Sequence, residues 1–291
     1  MKPALLMLVA LAAFAPALAC SQIVDVDRFH EKAPASVPTG VKSTQFLDLQ
    51  FTVLGMKPHL AHTYEYRVID ANNLIQSRGV MTPLGAADVT VFVPRAIPKS
   101  NGPYRIDFYA DVNGSGGYDG IGSVITNDHA WRIDPLVDYP AGTVTPVDGL
   151  VQVTFTHSTS FTDIDQYPSG TPNKAKDTGL SATVHLTALD DVSGKMLEVR
   201  VAEKDTQHVV ALARVPAVGQ PTMDLVIPGV VDVGVDYEID LYIDANGNGT
   251  YDDPATDGGD WGCRMNASST DTGLTATMDA TADKRIDVGR P

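Results

Sequence analysis

The strongest constraint on the fold is an internal repeat. The stretch YRIDFYADVNGSGGYD, which begins at Tyr104, recurs as YEIDLYIDANGNGTYD, which begins at Tyr237, at an offset of 133 residues. Two pairs of charged residues share this offset: Glu65 with Glu198 and Arg67 with Arg200. Two copies of a unit longer than about 100 residues indicate a duplicated domain, because solenoid repeats are shorter and more numerous.

Within each copy, apolar and polar residues alternate. The apolar positions are Tyr104, Ile106, Phe108 and Ala110 in the first copy and Tyr237, Ile239, Leu241 and Ile243 in the second. A period of two is typical of a half-buried strand. Other runs rich in Val, Ile and Thr are separated by Gly, Pro and Asn/Asp clusters, and no long segment has a helical period. We therefore predict an all-β fold of two tandem β-sandwich domains of about seven strands each, similar to immunoglobulin-like or transthyretin-like domains.

The 291 residues accommodate two such domains together with a leader and linkers. We assign residues 1–19 to a signal peptide and 20–40 to a lipidated cysteine and a flexible tether. The first β-sandwich domain is expected at 41–165, and the second at 176–288. A Pro-rich stretch at 166–175 is the expected linker, and each domain is expected to fold separately.

The first residues have the features of a secretory leader. Lys2 precedes an apolar run, and the stretch Ala17-Leu-Ala-Cys20 supplies small residues at a cleavage site. This tail resembles the bacterial lipobox, which implies lipid attachment to Cys20. Ser21, where inner-membrane retention would favour Asp, implies the outer membrane. We therefore expect an exported protein, lipid-anchored in the bacterial cell envelope. The alternative is an ordinary cleaved signal peptide in which Cys20 has no special role.

The charge balance narrows the possible partners. The chain has 36 acidic and 21 basic residues, for a formal net charge of −15. Binding of nucleic acid through its phosphates needs basic patches, so no nucleic-acid partner is expected. The acidic balance is compatible with carboxylates that hold a hard cation. If Cys20 is acylated, Cys263 has no intramolecular disulfide partner, and we expect it to be a small buried hydrophobe.

An acidic, glycine-rich segment follows the repeated strand in both copies. Both segments fit D-x-N-x-[SN]-G-x-x-D, which resembles the first nine positions of EF-hand and dockerin-type calcium loops. Oxygens at alternate positions can converge on one cation, and the glycine at position six permits the necessary turn. The resemblance implies a calcium cofactor and these ligands: Asp111, Asn113, Ser115, Gly117, Asp119 and Asp128 in the first loop, and Asp244, Asn246, Asn248, Thr250, Asp252 and Asp257 in the second.

Both loops depart from the EF-hand pattern. At position 12 the usual Glu is replaced by Gly122 and Ala255, and the preceding element is a strand instead of a helix. The closing carboxylate is then expected from later acids: Asp128 in the first loop, and Asp253, Asp257 or Asp260 in the second. The alternative is a plain hairpin with an Asn-Gly turn, which is favoured in tight turns. A plain turn does not explain why Asp recurs at both ends of both loops.

Two other groups of side chains offer weaker candidates. His59, His62 and His129 could hold zinc or copper, although surface or hydrogen-bonding histidines are the alternative. Trp131 and Trp261 could stack against sugars, but core positions that cover the loops explain their repetition equally well.

The sequence contains no catalytic signature that would indicate an enzyme. It has no Gly-x-Ser-x-Gly elbow, His-Glu-x-x-His helix, Cys-x-x-Cys pair or phosphate-binding glycine loop. We therefore predict a non-enzymatic cell-envelope lipoprotein with calcium-stabilised β-sandwiches that act as binding or structural modules for an unknown protein or glycan partner. A carbohydrate-binding or adhesin-like accessory module is the main alternative, and a hydrolase of unknown substrate is a remote one.

Overall fold

The computed structural model describes residues 45–122, 127–137, 146, 148–166, 174–249, 251–255, 258–282 and 284–289. In these ranges the regular structure is fourteen β-strands and two 3₁₀ turns, Lys57–His59 and Asp190–Val192. Within the same ranges, no helix has the length and apolar character that a membrane crossing requires. The predicted all-β fold is therefore confirmed. The expected signal peptide, Cys20, its tether and most of the linker lie outside the described residues.

Seven strands form the first half of the described chain. They are β1 (Phe46–Leu54), β2 (Thr63–Ile69), β3 (Ile75–Met81), β4 (Val89–Pro98), β5 (Tyr104–Asp111), β6 (His129–Val137) and β7 (Leu150–Thr156). Strands β4, β1 and β7 form one sheet, and β3, β2, β5 and β6 are neighbours in a second sheet. Alternate apolar residues meet between the two layers, so that the rings of Phe51 and Phe108 lie 5.1 Å apart. The first half is thus a β-sandwich.

The second half repeats this arrangement. Its strands are β8 (Leu180–Thr187), β9 (Leu197–Glu203), β10 (Val209–Val215), β11 (Met223–Val231), β12 (Asp236–Ile243), β13 (Trp261–Ser268) and β14 (Leu274–Asp279). Strands β11, β8 and β14 form one layer, which faces β10, β9, β12 and β13 across a core of aliphatic side chains. The apolar positions of the repeated strand, Tyr237 to Ile243, are buried in that core, as the period of two predicts.

One continuous eight-stranded sheet joins the halves, in the order β13-β12-β9-β10-β3-β2-β5-β6. At its centre β10 pairs in parallel with β3, and Ala211–Arg214 lie opposite Arg78–Met81. Each of these strands also contributes to the core of the other half. Leu212 of β10 is buried in the first core, and Val80 of β3 packs against the second. The sequence repeat did not predict this shared sheet.

The two halves are related by a pseudo-twofold axis that runs parallel to the strands. Side chains of directly paired residues lie on the same face of a sheet. The paired residues Tyr66, Gly79 and Leu212 therefore face the first core, whereas Val80 and its partner Ala213 face the second. The two three-stranded sheets consequently cover opposite faces of the long sheet. Because β3 and β10 are parallel, the equivalent strands β5 and β12 also run in the same direction.

Two arginines reinforce the junction reciprocally. Arg78 of β3 donates through Nη1 to the carbonyl oxygen of Pro228 in β11. Arg214 of β10 donates through Nη1 to the carbonyl oxygen of Thr90 in β4, at 2.9 Å. Each arginine thus reaches from its own strand in the long sheet to the outer layer of the other half.

Equivalent segments cover the two outer edges of the long sheet. At β6, the backbone N–H of Thr162 donates to the carbonyl oxygen of Ala130 at 2.8 Å. At β13, the N–H of Ile286 donates to the carbonyl oxygen of Gly262 at 2.9 Å. Open strand edges allow pairing with other chains, so these segments protect the two edge strands, β6 and β13.

The strands lie on both sides of the expected linker. The strands β1–β7 fall within the predicted range 41–165, and β8–β14 fall within 176–288. However, Val41–Pro291 forms a single compact unit. The separate folding of each half stays a prediction, and the shared sheet makes it a demanding one, because separation would expose the edges of β3 and β10.

Candidate metal-binding loops

Loop 1 (residues 111–119) and loop 2 (residues 244–252) lie at the same end of the strands of the long sheet. Each begins where a central strand ends, at β5 or β12, and these strands run in the same direction. Residue pairing across the sheet places Asp111 level with Ile243, one residue before Asp244. Five strand spacings separate the loops, which corresponds to about 24 Å. The duplication therefore presents two equivalent acidic loops side by side.

In loop 1, the aspartate that ends β5 organises the backbone. Asp111 is 3% exposed, and its two carboxylate oxygens accept the N–H groups of Ser115 at 3.0 Å and Gly116 at 2.8 Å. The amide oxygen of Asn113 accepts the same Ser115 N–H at 2.9 Å. Its amide nitrogen donates to Oδ2 of Asp119 at 2.7 Å, which ties the two ends of the loop together.

Loop 2 repeats this arrangement. The two oxygens of Asp244 accept the N–H groups of Gly247 at 2.7 Å and Gly249 at 3.0 Å. The amide of Asn246 donates to Oδ2 of Asp252 at 2.7 Å, as its counterpart does in loop 1. The amide of Asn248 adds a second bond to the same oxygen, at 2.6 Å. Asp252 of loop 2 therefore accepts a hydrogen bond from the position-five side chain as well as from the position-three asparagine.

A second buried aspartate closes each loop from the following strand. Asp128 accepts the N–H groups of Val112 at 3.2 Å and Asp119 at 3.0 Å. Asp260 accepts the equivalent groups of Ala245 at 3.2 Å and Asp252 at 2.8 Å. Burial, assisted by the charges of Asp119 and Asp111, raises the pKa of Asp128 to about 6. A nearby cation would favour the charged form of this carboxyl group.

Asp260 is the structural counterpart of Asp128, and it was one of three acids that the sequence left open in loop 2. Asp257, which the predicted ligand set contains, lies outside the described residues, as does Thr250. The repeat changes its offset to 132 after the loop, where Arg132 and Arg264 bond equivalent aspartates on the preceding strands. This shorter offset was the signal that could have selected Asp260.

A tyrosine in each loop contacts the segment that covers the edge of the sheet. Tyr118 donates its hydroxyl to Asp163 at 3.0 Å, and Tyr251 donates to Asp287. Sequence analysis did not identify these pairs, although Asp-Ile-Asp at 163–165 and Asp-Val at 287–288 follow the last strand of each half. The contacts connect each loop to the end of its own half.

The described ligands are joined by hydrogen bonds within each loop but do not form a finished metal site. In the described part of the chain, no group of three or more His, Cys, Asp or Glu side chains is arranged to hold a metal ion. The carboxylates instead accept backbone N–H groups, and each oxygen keeps further acceptor capacity. Among the described residues, the ion pairs involve none of the loop carboxylates. A cation would therefore neutralise charge that basic side chains leave uncompensated.

The two tryptophans occupy different environments. Trp131 is buried in the first core, and its Nε1 donates to the carbonyl oxygen of Ser158 at 2.8 Å. Trp261 is partly buried, with the ammonium group of Lys284 3.8 Å from its ring centroid. Lys284 thus covers a face on which a sugar would stack. Cys263, the structural counterpart of Trp131, is buried as expected.

No known protein family and no curated protein matches this sequence. Several solved structures overlay at low similarity. The tip fimbrial protein Mfa3 from Porphyromonas gingivalis with C-terminal truncation is 10% identical, with 77% of this chain and 81% of that chain covered and a TM-score of 0.25. A putative cell adhesion protein from Parabacteroides distasonis is also 10% identical, with coverage of 83% and 91% and a TM-score of 0.21. The fimbrial anchor protein Mfa2 from Porphyromonas gingivalis is 11% identical, with coverage of 69% and 79% and a TM-score of 0.20.

Proposed function

We propose that this protein is a non-enzymatic structural or adhesin-like module of the bacterial cell surface, anchored by lipid at Cys20, whose two loops bind calcium. The observation that carries the proposal is the placement of two equivalent acidic loops at the same end of the strands of a single sheet that both halves share. A sheet that continues through both halves fixes the spacing of the loops, because its strands cannot rotate independently. Such a unit suits a rigid presenting or spacing role.

Calcium is the cation that best suits the loops. Each loop offers carboxylate, amide and carbonyl oxygens, which are the ligands that Ca²⁺ takes in flexible geometry. Among the described residues, no ion pair neutralises Asp111 and Asp128 or the equivalent Asp244 and Asp260, although the ammonium group of Lys195 lies beside Gly247 of loop 2. A bound cation would be their charge partner. Mg²⁺ demands a smaller octahedral site, so it should bind these loops much less well.

A carbohydrate-binding module remains the second candidate from the sequence. It would need an exposed aromatic face near the loops. Trp131 is buried, and Lys284 lies over Trp261, so the described aromatic side chains favour the structural role.

The calcium proposal is tested by thermal unfolding of chelator-treated protein. Binding to the native state alone stabilises it by about 1.4 kcal/mol at tenfold excess over Kd, and extracellular calcium modules commonly have Kd values of about 10⁻⁴–10⁻³ M. We therefore expect about 10 mM Ca²⁺ to raise the melting temperature, and equimolar Mg²⁺ to raise it much less. An unchanged melting temperature in Ca²⁺ would leave the loops as plain Asn-Gly turns.

The anchoring proposal is tested separately in cells. Replacement of Cys20 by Ser should move the protein from the membrane fraction to the soluble fraction. The intact mass of the wild-type protein should include acyl chains. Unaltered membrane partitioning of the variant would contradict the anchor and leave the calcium proposal untouched.

A further inference from the structure

Three histidines meet at the end of the first half that carries loop 1. His59, the last residue of the first 3₁₀ turn, is 2% exposed, and its Nε2 lies 3.1 Å from Nε2 of His157, just after β7. The ring of His129, at the start of β6, has its centroid 5.0 Å from that of His59. The centroid of the Trp131 ring lies 5.4 Å from that of His59 and 5.6 Å from that of His157. We refer to His59, His129 and His157 as the histidine cluster.

The second half has apolar side chains at all three equivalent positions. Val192 ends the second 3₁₀ turn, as His59 ends the first. Trp261 begins β13 and pairs with Ile243, as His129 begins β6 and pairs with Ala110. Ala280 donates its N–H to Thr187, as His157 does to Leu54. The same fold therefore forms without these histidines, and the second half provides an internal control for them.

The bonded pair of His59 and His157 is built for uncharged rings. Nδ1 of His59 is buried without a hydrogen-bond partner. A buried, unpaired N–H is costly, so the single proton of the neutral ring belongs on Nε2, where it is donated to His157. An added proton has no good place. On Nδ1 of His59 it would be buried and unpaired, and on Nε2 of His157 it would face the proton that His59 donates.

The groups that surround His59 oppose its protonation. Burial, with the neighbouring His129, His157 and His62, lowers the pKa of His59 to about 4, and burial with His129 lowers the pKa of His157. Lys57 on the same turn is a further positive group. The acids on the adjacent segments serve the backbone: Asp88 accepts the Gly55 N–H at 2.7 Å, and Asp128 accepts the two N–H groups of loop 1.

We propose that the bonded pair of His59 and His157 within the histidine cluster is an acid-sensitive latch that holds the loop end of the first half closed at neutral pH and releases it in acid. The sign follows from linkage. A histidine whose pKa is lower in the folded state than in the unfolded state stabilises the fold above pH 6.5 and loses that contribution as the pH falls toward 4. The element released is the stretch from Gly55 to His62, which the cluster connects to β6 and β7. The latch needs no calcium.

A metal site is the competing use of these side chains. A histidine that ligates a metal nearly always donates its other N–H to a carbonyl, a carboxylate or water. If Nε2 of His59 were a ligand, Nδ1 would carry the proton, and it has no acceptor there. The described residues also include no three-ligand group arranged for a metal. Protonation is therefore the better-supported use.

The first test exchanges two histidines for the residues of the second half. Urea unfolding of the full chain is measured at pH 7.5 and pH 5.0 for the wild type and for the double variant His59→Val, His157→Ala. The pKa shift of His59 predicts an increase of the unfolding equilibrium constant on the order of ten- to thirtyfold at pH 5.0, beyond any change in the variant. His185→Gln, at an exposed histidine on β8 that is paired with Asp224, should retain at least the wild-type acid response. An equal acid response in the double variant would overturn the latch.

A second measurement needs no variant. Protection factors from amide hydrogen exchange should fall further at pH 5.0 for residues 55–62, which open locally, than for the equivalent residues 188–195, which follow only global unfolding. Equal changes in both segments would overturn the proposal. So would stabilisation by Zn²⁺ at pH 7.5 that the double variant abolishes, because the cluster would then be a metal site.

Discussion

The two halves share the buried aspartates that hold their loops, but they differ at the positions of the histidine cluster. Each loop is held by one buried aspartate at the end of a central strand and by a second at the start of the next strand. Under loop 1 lies a histidine cluster, whereas the equivalent positions under loop 2 are apolar. The duplication allows two kinds of feature to be distinguished: those that both halves keep and those that only one half has. The loops belong to the first category and the histidines to the second.

The buried ion pairs of the long sheet show a similar divergence. Glu65 bonds Arg67 at 2.6 Å and lies 3.4 Å from Arg78, which is on β3. Glu198 bonds Arg200 at 2.8 Å and is held at Oε2 by both Nε and Nη2 of Arg214. The equivalent glutamates therefore differ in the arginine that the junction strand supplies.

The largest expected effect comes from removal of these carboxylates. Glu198→Gln should destabilise the protein by about 3–5 kcal/mol, because it removes a buried carboxylate charge that the buried Arg200 and the partly buried Arg214 share. Glu65→Gln should cost less, because Arg78 makes only a long contact with the Glu65 carboxylate. Glu238→Gln, at a half-exposed pair with Arg264, should change stability by less than about 1 kcal/mol. Urea unfolding at pH 7.5 measures all three, and equal costs for the two buried sites would refute the comparison.

The next effect tests whether the halves are one cooperative unit. Leu212 of the second half is fully buried in the first core, so Leu212→Ala should cost about 2–5 kcal/mol. Val80→Ala, the reciprocal change, should cost less because Val80 is only partly buried. Single-tryptophan backgrounds report each half: Trp261→Phe leaves Trp131 in the first, and Trp131→Phe leaves Trp261 in the second. Both probes should shift together with Leu212→Ala. A shift of Trp131 alone would mean that the halves melt separately.

The sequence predicted more of the local structure than of its assembly. The period of two identified the central strands, and the D-x-N-x-[SN]-G-x-x-D pattern located both loops, because these depend on residues close in the chain. The β3–β10 junction escaped prediction because Ala211–Arg214 and Arg78–Met81 are an ordinary strand pair with no local mark of their partner. His157 escaped because the chain brings it beside His59 only through the parallel pairing of β7 with β1. Trp131 and Trp261 are not structural counterparts: after loop 2 the offset is 132, so Trp131 corresponds to Cys263 and His129 corresponds to Trp261.

Calcium binding should differ between the loops. In loop 1 the Ser115 hydroxyl donates a hydrogen bond to the Gly117 carbonyl oxygen. Two of the expected calcium ligands are therefore bonded to each other. Loop 2 has the Asn248 amide instead, which offers a carbonyl oxygen. We expect Asp244→Ala to remove the larger part of the calcium-induced rise in melting temperature and Asp111→Ala the smaller part.

Thermal unfolding with and without about 10 mM Ca²⁺ measures this difference, in which each loop contributes about 1.4 kcal/mol at tenfold excess over its own Kd. Asp205→Ala, at an exposed turn remote from both loops in the sequence, should keep the full rise. A larger loss with Asp111→Ala would reverse the ranking, and retention of the full rise by both variants would place calcium elsewhere.

The smallest expected effect is a pH dependence confined to loop 1. The pKa of Asp128 is raised to about 6, and calcium requires the ionised carboxylate, so binding must release a proton when the pH is near or below that value. In an Asp244→Ala background, which leaves loop 1 as the intact site, calcium affinity should fall about fourfold between pH 7 and pH 5.5. Isothermal titration calorimetry measures the affinity directly. The further change Asp128→Asn should weaken binding and flatten this dependence. If Asp128→Asn retains the fourfold change, the titrating group lies elsewhere.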